Sequence, residues 1–385
     1  MALHFKIYTS VALLPNEWDT LANGDIFLKS SYLKALEQAS PTNISWFYIG
    51  VFNTNVLVGI AIIQRVELYL KDIFRNYKDS CYQQKFKHFI STFLKGNMLV
   101  VGNLMHTGQH GFFFDNNQIS QTDFLETVFD ALDKLKSIIK KKSHKHIRIV
   151  MLKDYFDEDT IHREKSIFKA QKLHQITVQP NMVMEVKNSW LQFDDYVSDL
   201  NKKYKKRYKI AKKKAFNCVK KELFLDDIQA QSNPIHQLYK TVSDNAKINT
   251  FILPEQHFYT LKSNLKDRFK IFGYYFNDQL IGFYTLILNH KTLETYFLGY
   301  DETHQYANQL YLNMLYDMAQ FGIENHFKLI VYARTAMEIK SSVGAKPKQM
   351  TVYLKHTNWL MNVVLNTIFG LMNPTQNWEE RHPFK

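Results

Sequence analysis

The segment Leu293–Tyr300 alternates like a β-strand, and that alternation sets Glu294, Tyr296, Leu298 and Tyr300 on one face. A carboxylate beside two phenols can serve as general base, general acid and substrate anchor. The same residues also suit half-buried packing around a solvated carboxylate, so both readings stand. Leu329–Tyr332 reads as the next strand and adds Tyr332 to the candidate catalytic set. Arg334 follows that strand at its carboxyl end, where crevices in α/β sheets bind ligands. Arg334 and Lys340 form a candidate cationic site for a substrate carboxylate or phosphate, with surface ion pairing as the competing role. Between them Thr335 and Glu338 have the T-x-x-E spacing of a helix capping box, and Gly344 suits a left-handed position after that helix.

Two further stretches carry candidate binding groups. The neutral loop 102–111 contains Gly102, Asn103 and Gly108, whose flexible backbone and side-chain donors could hold a phosphate or a carbonyl, or simply shape a long connection. His106 and His110 are four apart, but Gly108 between them argues against a helix presenting both, and no third ligand is in sight, so no metal is expected. The segment 202–221 is strongly basic, with Lys203 and Arg207 near its start. Leu200, Tyr204, Tyr208, Ala211 and Ala215 form one stripe along it and lysines fill the rest. A solvated charged face is one reading; tRNA phosphates, an anionic membrane surface or an anionic acceptor are the others. Nothing in it reads bases specifically, and DNA is not an expected partner.

The elements that would position these residues repeat. In the first half, strands are predicted at Phe5–Ser10, Ser45–Val51, Val56–Gln64, Met98–Val101, Ile147–Met151 and Met182–Val186. Short helices fall at Pro15–Leu21, Ser31–Glu37 and Glu158–Ala170, and a long amphipathic one runs through Phe124, Val128, Leu132, Leu135 and Ile139. The second half has strands at Glu222–Leu225, Phe269–Tyr275, Leu280–Leu288, Leu293–Tyr300, Leu329–Tyr332 and Met350–Leu354. Its helices fall at Pro234–Ala246, Pro254–Leu265, Asn308–Gly322 and Ala336–Ser342. Both halves read β-α-α-β-β-β-α-β-α-β, an α/β class with a mixed sheet and flanking helices, written twice. The expected boundaries are a first domain at 1–190 with an insertion at 68–97, a basic connecting helix at 191–221, a second domain at 222–356 and a helix and tail at 357–385. In the insertion, Phe86, Phe89, Ile90, Phe93 and Leu94 recur at helical spacing, suiting a pocket cap, core or a membrane surface.

That doubled order resembles the tandem-GNAT proteins, including the Fem-type peptidoglycan branching enzymes and related GNAT-like acetyltransferase domains. The phrases Lys203-Tyr204-Lys205-Lys206-Arg207, Arg334-Thr335-Ala336-Met337-Glu338-Ile339-Lys340-Ser341 and Arg381-His382-Pro383-Phe384-Lys385 look like the conserved words of such proteins. The resemblance implies two GNAT-like domains and a fourth and fifth strand that splay around the reacting carbonyl. It also implies an acyl-CoA or other acyl thioester as donor, or aminoacyl-tRNA in the Fem branch. The turn that holds the coenzyme A pyrophosphate in many relatives departs here: 301–309 has no glycine and carries Asp301 and Glu302, which suit a helix start and repel a phosphate. Three functions follow as expectations. The first is N-acylation of a small amine or cell-envelope precursor, the second a Fem-like aminoacyl transfer, and the third a non-catalytic pair that binds a glycan or lipid.

Composition removes other classes. The 385 residues are 45% hydrophobic and 22% charged, ordinary globular values that exclude a wholly disordered or collagen-like chain. Two cysteines, Cys81 and Cys218, exclude a disulfide framework. No secretory signal is visible, and the longest apolar-rich stretch, 359–372, is shorter than the ~20 residues of a spanning helix, so a soluble cytoplasmic protein is expected. Of the net charge of +13, eleven come from 202–221, leaving +2 for the rest of the chain.

Overall fold

The fold is that of a computed structural model, which describes residues 3–68, 96–246, 249–372 and 378–385. The insertion foreseen at 68–97 falls almost wholly outside them. The chain runs β1 (Leu3–Tyr8), α1 (Trp18–Leu21), α2 (Ser30–Gln38), β2 (Ile44–Asn53), β3 (Val56–Leu68), β4 (Gly96–Val101), β5 (Phe112–Phe114), α3 (Gln121–Ser143), β6 (Ile147–Phe156), α4 (Lys165–Ala170) and β7 (His174–Glu185). It continues α5 (Phe193–Asp199), α6 (Lys202–Lys214), β8 (Val219–Glu222), α7 (Leu225–Ala230), α8 (Ser232–Asp244), α9 (His257–Leu265), β9 (Phe269–Phe276), β10 (Gln279–Asn289) and β11 (Thr292–Tyr300). It ends α10 (Glu302–Asn308), α11 (Leu310–Glu324), β12 (Leu329–Val331), α12 (Met337–Ser341), β13 (Lys346–His356) and α13 (Trp359–Met372). The order expected from periodicity is present with additions, β5 in the first half and α7 and α10 in the second, and the class is mixed α/β with flanking helices.

Two compact units form, with bounds that differ from the consecutive domains read from the sequence. The first comprises 1–179, 247–253 and 349–375; the second comprises 180–246, 254–348 and 376–385. The reason is strand traffic: each half's closing strand completes the other unit. In the first unit the sheet order is β1-β2-β3-β4-β6-β13, with β4 and β6 parallel and β13 antiparallel to β6. Phe124, Val128, Leu132, Leu135 and Ile139 of α3 pack on Ile49, Val51, Ile63, Leu99 and Val150, as the amphipathic stripe requires. In the second unit the order is β7-β12-β11-β10-β9-β8, with only β11 and β12 parallel. Leu310, Met314, Leu315, Met318 and Ile323 of α11 pack on Tyr284, Leu286, Leu293 and Ile330.

Local departures have local causes. The strand expected at Glu222–Leu225 ends at Glu222, because Asp227 accepts the Phe224 N–H at 2.8 Å and starts α7. The helix expected at Asn308–Gly322 begins at Leu310, after Gln309 with φ 48°, and the stretch 301–309 read as a turn contains the short helix α10. Glu158–Ala170 is a 3-10 turn followed by α4. No helix among the described residues is long and apolar enough to cross a membrane.

Candidate active site

In the second unit β11 and β12 pair over three residues only, ending at Glu294 opposite Val331. Beyond that point β11 runs on to Tyr300 without β12. The chain after β12 stays with β7 instead: Tyr332 donates its N–H to the Met182 carbonyl at 2.8 Å, and Met182 donates to the Ala333 carbonyl at 3.2 Å. The two parallel strands therefore part beside Glu294.

A bulge accompanies the parting. Between the Leu286–Thr295 and Tyr284–Leu298 pairs, β10 contributes one residue, Thr285, and β11 contributes two, Tyr296 and Phe297. The extra residue inverts the alternation and corrects the expectation of a single wall. Glu294 lies on the face of Ile287, whereas Leu298 and Tyr300 lie on the face of Tyr284 and Gly282. Gly299 lets α8 press against β11, since a Cβ there would stand 2.4 Å from the Leu238 carbonyl carbon.

On the Glu294 side sits a residue that sequence reasoning missed. His257, fully buried on α9, places Nε2 3.1 Å from the Tyr296 hydroxyl, with the two rings stacked at 27°. Phe258 and Phe297 meet the imidazole edge-on. A lone histidine on an amphipathic helix carries no motif; only tertiary packing brings it to Tyr296. Glu294 itself is 7% exposed. The Tyr296–His257 pair can pass a proton, and Glu294 can accept one.

The remaining phenols are placed differently. Tyr332 is buried and donates to the Leu315 carbonyl at 3.1 Å, and burial with Tyr311 and Tyr316 nearby raises its pKa far above the usual phenol value. It stays protonated and braces α11. Tyr300 stands 6.2 Å, ring to ring, from Tyr311, and burial and Glu302 raise its pKa.

Arg334 sits in a tight turn whose other residues, Ala333, Thr335 and Ala336, all have positive φ (58°, 65° and 47°), a costly conformation for residues with a Cβ. Lys340 holds that turn: its buried ammonium donates to the carbonyls of Ala333 (3.2 Å) and Arg334 (2.6 Å). Burial lowers its pKa to about 7. Its hydrogen bonds go to the backbone, and Arg334 lies half-buried within the turn. The expected T-x-x-E box does not form, because Ala336, not Thr335, precedes α12 and its backbone is left-handed. Glu338 instead pairs with Arg381 at 2.5 Å. Gly344 has φ 105°, in the left-handed region its position suggested.

The turn that would hold a pyrophosphate is filled by the protein. Asp301 accepts the Thr303 N–H at 2.8 Å and caps α10. Gln305 accepts the Tyr311 N–H at 2.9 Å and occupies the start of α11. Both bonds engage groups of the turn within the protein, beside the carboxylates of Asp301 and Glu302.

In the first unit the loop 102–111 is bonded to itself and its neighbours. Gly102 donates to Ile62, Leu104 to the Gln64 side chain, Met105 to Asn103 Oδ1 and Gly108 to Asp154. Asn103 is buried and also bonds Gln64 and Tyr32. These donors shape the loop. Burial, with His110 and Lys153 beside it, holds His106 well below the usual histidine range, while His110 pairs with Asp25 at 2.7 Å. Among the described residues no group of three or more His, Cys, Asp or Glu side chains could hold a metal. A cleft of about 380 Å³ in this unit is lined by Phe112, Phe114, Tyr155 and Thr160, with Gln109 of the loop at its edge.

The basic helix α6 docks by its predicted stripe. Tyr204 and Ala211 are buried and Tyr208 half-buried; Asn313 donates to the Ala211 carbonyl at 3.0 Å, and Lys212 pairs with Asp317 at 2.6 Å. Lys203, Lys206, Lys209, Lys213 and Lys214 are exposed, and Arg207 is half-buried.

No family model and no curated protein matches the sequence. Solved structures do match. One titled as FemX is 9% identical with a TM-score of 0.54, covering 91% of this chain and 97% of that one. A tandem GNAT protein from the clavulanic acid biosynthesis pathway is 8% identical with a TM-score of 0.53, over 93% and 99%. The C-terminal domain of a lysylphosphatidylglycerol synthetase of Agrobacterium fabrum is 7% identical with a TM-score of 0.51, over 93% and 94%. At such identities the likeness is one of fold, and it spans nearly all of each chain. The chain therefore shares the fold of tandem-GNAT proteins.

Proposed function

We propose that the protein is an acyltransferase that forms an amide at the parting of β11 and β12, on a small amine or a cell-envelope precursor. The observation that carries this reading is the end of pairing at Glu294–Val331, with a buried carboxylate at the last rung and a His257–Tyr296 pair on the bulge beside it. An acceptor amine attacks the donor carbonyl and the new N–C bond forms. Glu294 takes the proton shed by nitrogen. The bond to the donor's leaving atom then breaks, and that atom receives a proton from the Tyr296 hydroxyl, which His257 resupplies. Arg334 is the candidate anchor for an anionic group of the substrate.

A second reading concerns the donor. Gln305 and Asp301 fill the turn where a pyrophosphate would sit, and a row of exposed lysines lies along α6. Together they favour aminoacyl-tRNA over acyl-CoA, in a cytoplasmic setting. Single-turnover transfer to an amine panel from acyl-CoA, acyl carrier protein thioesters and aminoacyl-tRNA separates the donors. Transfer from tRNA alone supports the second reading. Transfer from a thioester alone supports the first, and transfer from none removes both.

A further inference from the structure

Helix α13 is composed of Trp359–Met372 and contains no Asp, Glu, Lys or Arg. Among its described side chains, Leu365 and Asn362 hold it to the first unit. Leu365 is fully buried, and Asn362 accepts the His356 N–H at 2.7 Å while donating to the Lys172 carbonyl at 3.0 Å. Around these, Trp359 (68% exposed), Leu360, Met361, Val363 (68%) and Val364 all face solvent. Five large apolar side chains in six positions of one helix are a patch of the kind that soluble surfaces rarely leave open.

Its margin is basic. Lys172, whose carbonyl holds Asn362, is exposed, as is Lys169 one turn before it. Arg148, whose carbonyl accepts the Thr357 N–H at 2.8 Å, is exposed at the start of α13. A second copy laid on this helix by a two-fold axis would bring these cations against their own counterparts. An anionic surface would complement them. At ~1.5 Å per residue the helix is about 21 Å long, short of the ~30 Å hydrocarbon core, so it suits lying in the interface rather than spanning. Tryptophan at its first turn favours the headgroup level.

We propose that α13 is an interfacial anchor that seats the first unit on an anionic lipid bilayer, with Lys169, Lys172 and Arg148 against the headgroups. This does not depend on the transferase reading, because vesicle binding is measured without turnover. The experiment is co-sedimentation of the full chain with vesicles of phosphatidylcholine alone and of phosphatidylcholine with one-third phosphatidylglycerol. The wild type is expected on the anionic vesicles. The W359E/V363E variant should bind at least about tenfold more weakly, and K169E/K172E several-fold more weakly on anionic vesicles only. Both pairs are exposed, so unchanged thermal unfolding verifies that each variant folds. Absence of wild-type binding, equal binding by W359E/V363E, or a wild-type dimer that W359E/V363E dissociates would each overturn the proposal.

Discussion

The hydroxyl of Thr285 donates to the Phe297 carbonyl at 2.7 Å and accepts the Phe297 N–H at 2.9 Å. One buried side chain thus makes both hydrogen bonds that a ladder residue would make with its backbone. It stabilises the bulge that sends Glu294 and Tyr300 to opposite faces of β11. The bulge lies next to the end of β11–β12 pairing, so the geometry of the opening depends on this threonine.

Thr285→Val keeps the shape and removes both bonds. A buried N–H and carbonyl left unmet cost about 1–3 kcal/mol, which urea unfolding should show, and acyl transfer should fall with it. Thr285→Ser retains the hydroxyl and should recover most of the activity. Equal activity in Val and Ser variants would separate the bulge from function.

Replacement of His257 by Gln, or of Tyr296 by Phe, should slow turnover by about 10²-fold or more. Because His257 is buried and bonded to Tyr296, each also costs about 1–3 kcal/mol of stability, so rates are compared well below each variant's unfolding midpoint. The readout that a packing role would not move is the leaving group. A donor with a better leaving group should lose less rate in Tyr296→Phe than one with a poor leaving group.

Lys340 gives a pH signature. Its folded pKa is about 7, below the ordinary lysine value of 10.5. Below pH 7 both states hold the proton and the burial penalty is fully present. Between pH 7 and 10 the unfolded chain binds more protons, so unfolding free energy should rise with pH, by up to about 1.4 kcal/mol per unit from this group. Denaturant titrations at several pH values should show this slope in the wild type and its loss in Lys340→Met.

Gly344 and the carboxyl terminus are coupled. A Cβ at Gly344 would lie 2.6 Å from Phe384 Cζ, at a backbone φ of 105°. Gly344→Ala should cost more than about 1 kcal/mol and expose the tail 378–385 to carboxypeptidase.

On α6, K203E/K206E/K209E should weaken tRNA binding and flatten its salt dependence, because each lysine lost removes about one phosphate contact. These side chains are exposed, so the fold should be unaffected. Filter binding at several salt concentrations makes the comparison.

The sequence shows the elements whose apolar spacing is regular. The stripe Phe124, Val128, Leu132, Leu135, Ile139 is a buried face of α3, and Tyr204, Tyr208, Ala211 is the docked face of α6. It does not show features set by one side chain reaching across the fold. Alternation placed Glu294 and Tyr300 together because a bulge held by Thr285 leaves no trace in periodicity. The spacing of Thr335 and Glu338 suggested a cap, but positive φ at Ala333, Thr335 and Ala336, with Lys340 on the Ala333 and Arg334 carbonyls, starts α12 elsewhere. His257 was invisible because its partner is 39 residues away. The phrases 203–207, 334–341 and 381–385 were legible as words. Their convergence was not: Asn201, beside the first, donates to His382, and Arg381 bonds both Glu338 and Ser341.

The most direct measurement is the single-turnover rate of amide formation by Glu294→Gln against wild type, with whichever donor the wild type accepts. Loss of the carboxylate base predicts a rate lower by about 10²–10⁴-fold with substrate binding retained, recovering partly as pH is raised and more of the acceptor amine is deprotonated. A Glu294→Gln protein that transfers at the wild-type rate across that pH range would contradict a reaction centred where β11 and β12 part.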